Sequence, residues 1–187
     1  RMYVKFLRSW FLHTLAYSSP HSGFITYIQK SRGVKIGNNC HFSPYVLLDL
    51  VYPQLVNIGD NVTFGSNVMI FAHSNPAANA FLKNGEFPRK VEKVTIKSGA
   101  VLFPGSIVTA GVTIGENSII SAGSVITHDI PDFCVVVGNP ARVIKKIDHW
   151  EKLNILGIDF EDWFHPQLIQ PYVKNLEHIP TMHKGLD

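Results

Sequence analysis

Cysteine is nearly absent from this sequence: Cys40 and Cys134 are the only two, and neither sits in a CxxC or Cys/His cluster. That excludes a disulfide framework and a structural zinc site, and it fits a reducing compartment such as the cytoplasm. Charge is also scarce. Asp, Glu, Lys and Arg make up 17% of the chain, the net charge is +3, and no basic tract occurs. A nucleic-acid partner is therefore not expected, and a pI near 8.9 gives only a slight lean toward anionic ligands. No apolar run reaches the roughly 18 residues that a membrane-spanning helix needs. What remains, 45% hydrophobic and 11% aromatic over 187 residues, is material for one domain with a sizeable core and too apolar for long-range disorder.

Residues 2–17, MYVKFLRSWFLHTLAY, mix apolar and basic side chains. Lys5, Arg8 and His13 interrupt the apolar run and no small-residue cleavage site follows, unlike a secretory signal. The stretch predicts an amphipathic helix docked on the main body. An interfacial helix making peripheral membrane contact is the other reading of the same pattern.

Further on, a six-residue repeat dominates. Ile96, Leu102, Val108, Ile114, Ile120 and Ile126 are aliphatic and six apart, and Ala100, Ser106, Val112, Ser118 and Ser124 follow four residues after the first five. Earlier pieces keep the pattern: Ile36, Phe42 and Leu48 in one register, Ile58, Phe64 and Ile70 in another. The breaks between 48 and 58 and between 70 and 96 mark insertions. A period of six is neither the 3.6 of a helix nor a plain strand alternation. It suits short strands separated by turns and rotated about an axis, each with one aliphatic side chain pointing inward. One unit cannot bury that side chain alone, so stability comes from stacking. Gly and Asn at Gly37-Asn38-Asn39, Gly59-Asp60-Asn61 and Gly115-Glu116-Asn117 suit the corners.

This pattern resembles the hexapeptide signature of the left-handed parallel β-helix acyltransferases over about residues 33–146. The resemblance implies an all-β fold, a triangular prism with three hexapeptides per coil, and a left-handed winding that general crossover preferences would not have given. The expected organisation is an N-terminal helix and connector over 1–33, the β-helix over 34–146 with a loop insertion at 74–93, and a C-terminal helix and extended arm over 147–187. Asp129-Ile130-Pro131-Asp132 ends the repeat, because Pro removes a ladder donor, and Val135-Val136-Val137 closes the last coil.

The register leaves off at Ile70-Phe71-Ala72-His73, and a long excursion from a regular scaffold is often functional. A histidine at its base suits a general base, since neutral imidazole can accept a hydroxyl proton near neutral pH. His73 also matches the catalytic histidine of the galactoside, maltose and streptogramin acetyltransferases of this fold, and Phe81-Leu82-Lys83-Asn84-Gly85-Glu86 resembles their substrate loop. The stretch Leu48–Asn61 is similar to bacterial surface-sugar O-acetyltransferases. Within it Asp49 is expected either to contact the acceptor or to orient His73, or else to be a turn carboxylate bonding local N–H groups. Asn75 and Glu86 are further acceptor-contact candidates.

For the donor, the resemblance implies coenzyme A in a groove between adjacent β-helices of a homotrimer. Ala122 and Thr127 match positions near the pantetheine, and Arg142 and Lys145 match basic positions near the phosphates. Two departures stand out. His128 replaces the usual lysine in Thr127-His128-Asp129-Ile130-Pro131, and Val101 replaces a frequent aromatic. Zinc is not expected: the γ-class carbonic anhydrases share the fold, but Ala78 stands where their histidine spacing needs a ligand, and His41, His73 and His128 lack that spacing.

The expected function is thus acetyl-CoA-dependent O-acetyl transfer to a saccharide hydroxyl, with His73 as base and no covalent acyl-enzyme. An acceptor of another kind (amino sugar, antibiotic or small metabolite) and a non-catalytic β-helix interaction module are the alternatives.

Overall fold

The computed structural model describes residues 2–75 and 78–147, within a compact unit spanning residues 1–148. From residue 148 on, the C-terminal helix and extended arm expected over 147–187 lie outside the described residues.

The hexapeptides form two- and three-residue strands that stack into three parallel sheets. One sheet contains β1 (Lys35–Ile36), β4 (Val56–Ile58), β9 (Val94–Ile96) and β12 (Thr113–Ile114). The second contains β2 (His41–Phe42), β5 (Thr63–Phe64), β10 (Val101–Leu102), β13 (Ile119–Ile120) and β15 (Cys134–Val137). The third contains β3 (Leu47–Leu48), β6 (Met69–Ile70), β11 (Ile107–Val108) and β14 (Val125–Ile126). Each coil visits the three sheets in turn, which makes a parallel β-helix of triangular section.

Register explains why the repeat works. Ile36, Ile58, Ile96 and Ile114 stack in one sheet, Phe42, Phe64, Leu102 and Ile120 in the next, and Leu48, Ile70, Val108 and Ile126 in the third. All but Ile36 are buried, and the two phenylalanines stack with ring centroids 4.6 Å apart. The small positions Val46, Val62, Val68, Ala100, Ser106, Val112, Ser118 and Ser124 are buried as well. Three residues after the inward aliphatic, the backbone turns left-handed: Asn39, Asn61, Gly99 and Asn117 at one corner, Tyr45, Asn67, Gly105 and Gly123 at the next. Asn and Gly tolerate that conformation with little steric cost. Tyr45 is the exception and is held by its N–H donating to the Tyr17 carbonyl and by its ring against that of Tyr17.

Two features were not read from the sequence. Residues 2–17 do form a helix, α1 (Met2–Tyr17), but a second one, α2 (Ser22–Arg32), follows where only a connector was expected. It is capped by the His21 side chain accepting from the Phe24 N–H and ends at a left-handed Gly33. It buries Ile25, Ile28, Gln29 and Arg32 at i, i+3, i+4 and i+7 spacing. In addition, β16 (Arg142–Lys146) turns back and pairs antiparallel with β15.

The helices join the β-helix through a polar cluster. The Arg32 guanidinium donates to the Gln29 side chain, to the Leu48 and Asp49 carbonyls and to Ser9 Oγ, and lies 3.2 Å from His13 Nδ1. Burial lowers the Arg32 pKa to about 10, against the opposing pull of Asp49, so it stays charged at neutral pH. Burial, then the charge of Arg32, pushes His13 down from 6.5 to about 4. The unfolded chain therefore binds that proton more tightly than the folded one. Stability should be at its full value above about pH 6.5 and fall between there and about pH 4, by on the order of 3 kcal/mol. Denaturant unfolding across that range checks this: His13→Gln should flatten the slope relative to the wild-type chain, and an unchanged slope would refute it.

Candidate active site

Both insertions leave the prism at one corner. Leu48 and Ile70 are register partners in the third sheet, so the segments that follow them, 49–55 and 71–93, emerge one above the other. The first contains a short 3₁₀ turn at Pro53–Leu55. The second contains β7 (His73–Ser74), paired antiparallel with β8 (Lys90–Val91), and α3 (Ala80–Asn84) between them. Its return is tied to the corner by the Glu92 N–H donating to the Ala72 carbonyl.

This stacking brings Asp49 and His73 together. His73 Nδ1 lies 2.6 Å from Asp49 Oδ2, with the carboxylate side chain fully buried and the imidazole 27% exposed. The same Oδ2 accepts from the Ala72 N–H at 2.7 Å, while Oδ1 accepts from the N–H groups of Val51 and Tyr52 at 2.9 and 2.8 Å. An ionised carboxylate only accepts. The hydrogen in this pair therefore belongs to Nδ1, and in the neutral imidazole the lone pair is on Nε2, which bonds no other group among the described residues. Asp49 is both things the sequence suggested, a turn carboxylate and a partner of His73. Its side chain has no exposed surface and four donors occupy it, which leaves no accepting position facing outward.

The electrostatic setting is fixed from below as well. Arg32 donates to the Asp49 carbonyl at 2.7 Å, which ties the backbone of this residue to the helical cap. Two residues that sequence reasoning missed line the imidazole side. The Tyr52 ring meets that of His73 edge-on, centroids 5.4 Å apart, and the Arg89 guanidinium lies 5.4 Å from the centre of the Tyr52 ring. The signal for Tyr52 was its place in the first insertion, three residues after Asp49.

The residue after His73, Ser74, begins the lining of a cleft of about 890 Å³ shared with Asn75, Glu86, Arg89, Lys90 and Glu92 among others; His73 itself is not part of that lining. Asn75 and Glu86 thus share one wall system, both exposed. The donor candidates gather elsewhere, at the ends of β14. Ala122 precedes that strand and Thr127 and His128 follow it, with Thr127 Oγ1 2.9 Å from His128 Nδ1. The Ala141 N–H donates to the Val125 carbonyl, which places exposed Arg142 beside the same coil, and Lys145 lies on β16, opposite Val135. Ile70 and Ile126 are separated by one strand, β11, so the corner of His73 and that of His128 are about 10 Å apart along the prism. No group of three His, Cys, Asp or Glu among the described residues is arranged to hold a metal ion.

Comparison with known proteins bears on this arrangement. Residues 93–128 match the family model described as bacterial transferase hexapeptide (six repeats). Galactoside O-acetyltransferase of Escherichia coli K12 is 36% identical over 129 residues, which is 67% of this chain and 60% of that protein. The enzyme of the same name from Lactococcus lactis is 37% identical over 131 residues, 64% of this chain and 62% of that one. The chain thus spans about three fifths of the length of these curated relatives. Among solved structures, a galactoside acetyltransferase in complex with coenzyme A superposes with a TM-score of 0.62 at 28% identity, covering 81% of this chain and 87% of that chain. A hexapeptide-repeat acetyltransferase of Vibrio cholerae complexed with acetyl coenzyme A gives 0.63 at 19% identity, over 78% and 88%. These likenesses identify the prism as the left-handed parallel β-helix.

Proposed function

Since this chain is a hexapeptide-repeat protein with the fold of the hexapeptide-repeat acetyltransferases, we propose that it is an acetyl-CoA-dependent O-acetyltransferase acting on a saccharide hydroxyl, with His73 as general base. The observation that carries the reading is the Asp49–His73 pair: a buried, fully hydrogen-bonded carboxylate holds Nδ1 of an imidazole that is itself 27% exposed. The similarity to galactoside O-acetyltransferases and to a coenzyme A complex supports the donor and the acceptor class.

In this reading the acceptor hydroxyl binds in the cleft against Asn75 and Glu86. Its oxygen attacks the thioester carbonyl carbon as Nε2 takes the hydroxyl proton. The tetrahedral oxyanion, held by backbone N–H groups, collapses with cleavage of the C–S bond. The proton on Nε2 passes to the departing thiolate, so coenzyme A leaves as a thiol and His73 returns to its starting state. Ala122 and Thr127 contact the pantetheine, and Arg142, Lys145 and His128 meet the phosphates, with charge pairing supplied by the two permanent cations. A homotrimer in the cytoplasm, where acetyl-CoA is available, completes the reading.

The test is thiol release from acetyl-CoA over a panel of mono- and oligosaccharides that includes an amino sugar. Release that depends on a hydroxyl acceptor is expected. Release only with the amino sugar would move the reaction to nitrogen. No release, with no coenzyme A binding by calorimetry, would leave a structural β-helix and refute the proposal.

A further inference from the structure

Helix α1 is built the opposite way round from an ordinary surface helix. Its body-facing side carries Ser9, His13 and Ala16, with Ser9 Oγ donating to the Leu50 carbonyl. Its outer side carries Val4, Leu7, Phe11 and Leu15 at helical spacing, 70%, 46%, 58% and 44% exposed, with Trp10 half exposed beside them. Soluble helices place charge there, and a contiguous apolar face of this kind marks an interaction site.

Charge says what meets it. Lys5 and Arg8 lie along one edge of the apolar stripe, and no Asp or Glu occurs anywhere before Asp49. Inward of Lys5 and Arg8 lies a cavity of about 570 Å³. Ser9, Ser31, Arg32, Tyr52 and Gln54 share its lining with those two cations, and no acidic residue among the described residues does. An anionic surface would satisfy these like charges, whereas α1 of a second copy, which has no acidic residue, would not. At 16 residues the helix is about 24 Å long, shorter than the roughly 30 Å hydrocarbon core, and no described helix is long and apolar enough to cross a membrane.

We propose that α1 lies flat on an anionic lipid bilayer. Its Val4–Leu7–Phe11–Leu15 face enters the acyl boundary, Lys5 and Arg8 sit at headgroup level, and the cavity behind them receives a lipid phosphate. Tyr52 connects this cavity to His73, because it lines the one and its ring packs against the other. If the proposed transferase activity holds, the consequence is an acceptor carried at the membrane surface; the docking itself does not depend on that activity.

The full chain would be sedimented with vesicles of phosphatidylcholine alone and of phosphatidylcholine mixed with phosphatidylglycerol. Binding to the mixed vesicles, weakened by salt, is expected. Leu7→Ser/Phe11→Ser should cut it by at least about tenfold, since two apolar anchors leave the acyl boundary. Lys5→Gln/Arg8→Gln should lower it roughly fivefold per cation on the mixed vesicles only. His73→Ala should bind as the wild-type chain does, which keeps this result apart from any failure of catalysis. Wild-type protein left in the supernatant, or Leu7→Ser/Phe11→Ser binding unchanged, would overturn the proposal. So would an oligomer that dissociates in that variant without any vesicle binding, which would make a second copy the occupant.

Discussion

Replacing His73 with alanine is expected to lower acceptor-dependent thiol release by about 10²–10⁴-fold, the usual worth of a positioned general base. The loss should fall on kcat, because Nε2 acts on the hydroxyl proton in the transition state and the donor candidates lie at the ends of β14, about 10 Å away along the prism. The KM for acetyl-CoA should stay near its wild-type value. The fold should survive: the imidazole is 27% exposed, and Asp49 keeps three backbone N–H donors without it. A melting curve near that of the wild-type chain accompanies the rate measurement. Release within about threefold of wild type would remove His73 from the chemistry, since a general base contributes far more than that.

Much of the fold was legible because one residue per hexapeptide carries it. The inward aliphatic, the small residue four positions on and the left-handed corner three positions on recur without needing any tertiary knowledge, and Asn39, Asn61, Gly99 and Asn117 stack as the repeat demands. The site was legible for a related reason. The first insertion lengthens one coil, so that Leu48 still stacks under Ile70, and whatever follows each of them must share a corner. Asp49 and His73 meet there as a result of register.

The rest depended on contacts that no local pattern announces. Arg32 and Gln29 are polar residues on the buried side of α2: Arg32 is satisfied by carbonyl oxygens of Leu48 and Asp49, far along the chain, and Gln29 by Arg32 and His13. The periodicity of α2 itself was present in Ile25, Ile28, Gln29 and Arg32, but half of those positions are polar and the apolar stripe is short. The β15–β16 hairpin pairs antiparallel in a molecule whose other core pairings are parallel, and all five residues of β16 are exposed, so the repeat gave no reason to expect it. The burial of Asp49 was not legible either: a carboxylate in a turn and one at a binding surface look alike in sequence.

Asp49→Asn tests the pairing of Asp49 with His73 most sharply. The amide keeps the shape of the carboxylate but offers only one accepting atom. If its oxygen stays with the Val51 and Tyr52 N–H groups, its NH₂ faces the Ala72 N–H and His73 Nδ1. The imidazole can then pair only by accepting at Nδ1, which moves its hydrogen to Nε2 and removes the base. If the amide flips instead, two other backbone N–H groups meet a donor. Either arrangement leaves a buried donor unpaired, at a cost of about 1–3 kcal/mol in stability. The first also lowers kcat by about 10²–10⁴-fold through the wrong tautomer. Nitrogen chemical shifts of His73 should report the hydrogen moving from Nδ1 to Nε2, a change that mere loosening of the loop would not produce. The double variant with His73→Ala adds the decisive comparison. If Asp49 acts only through His73, the pair should be no slower than His73→Ala alone, because two residues working as one unit are not additive. A further drop in the double variant would mean that Asp49 serves the reaction by some other route.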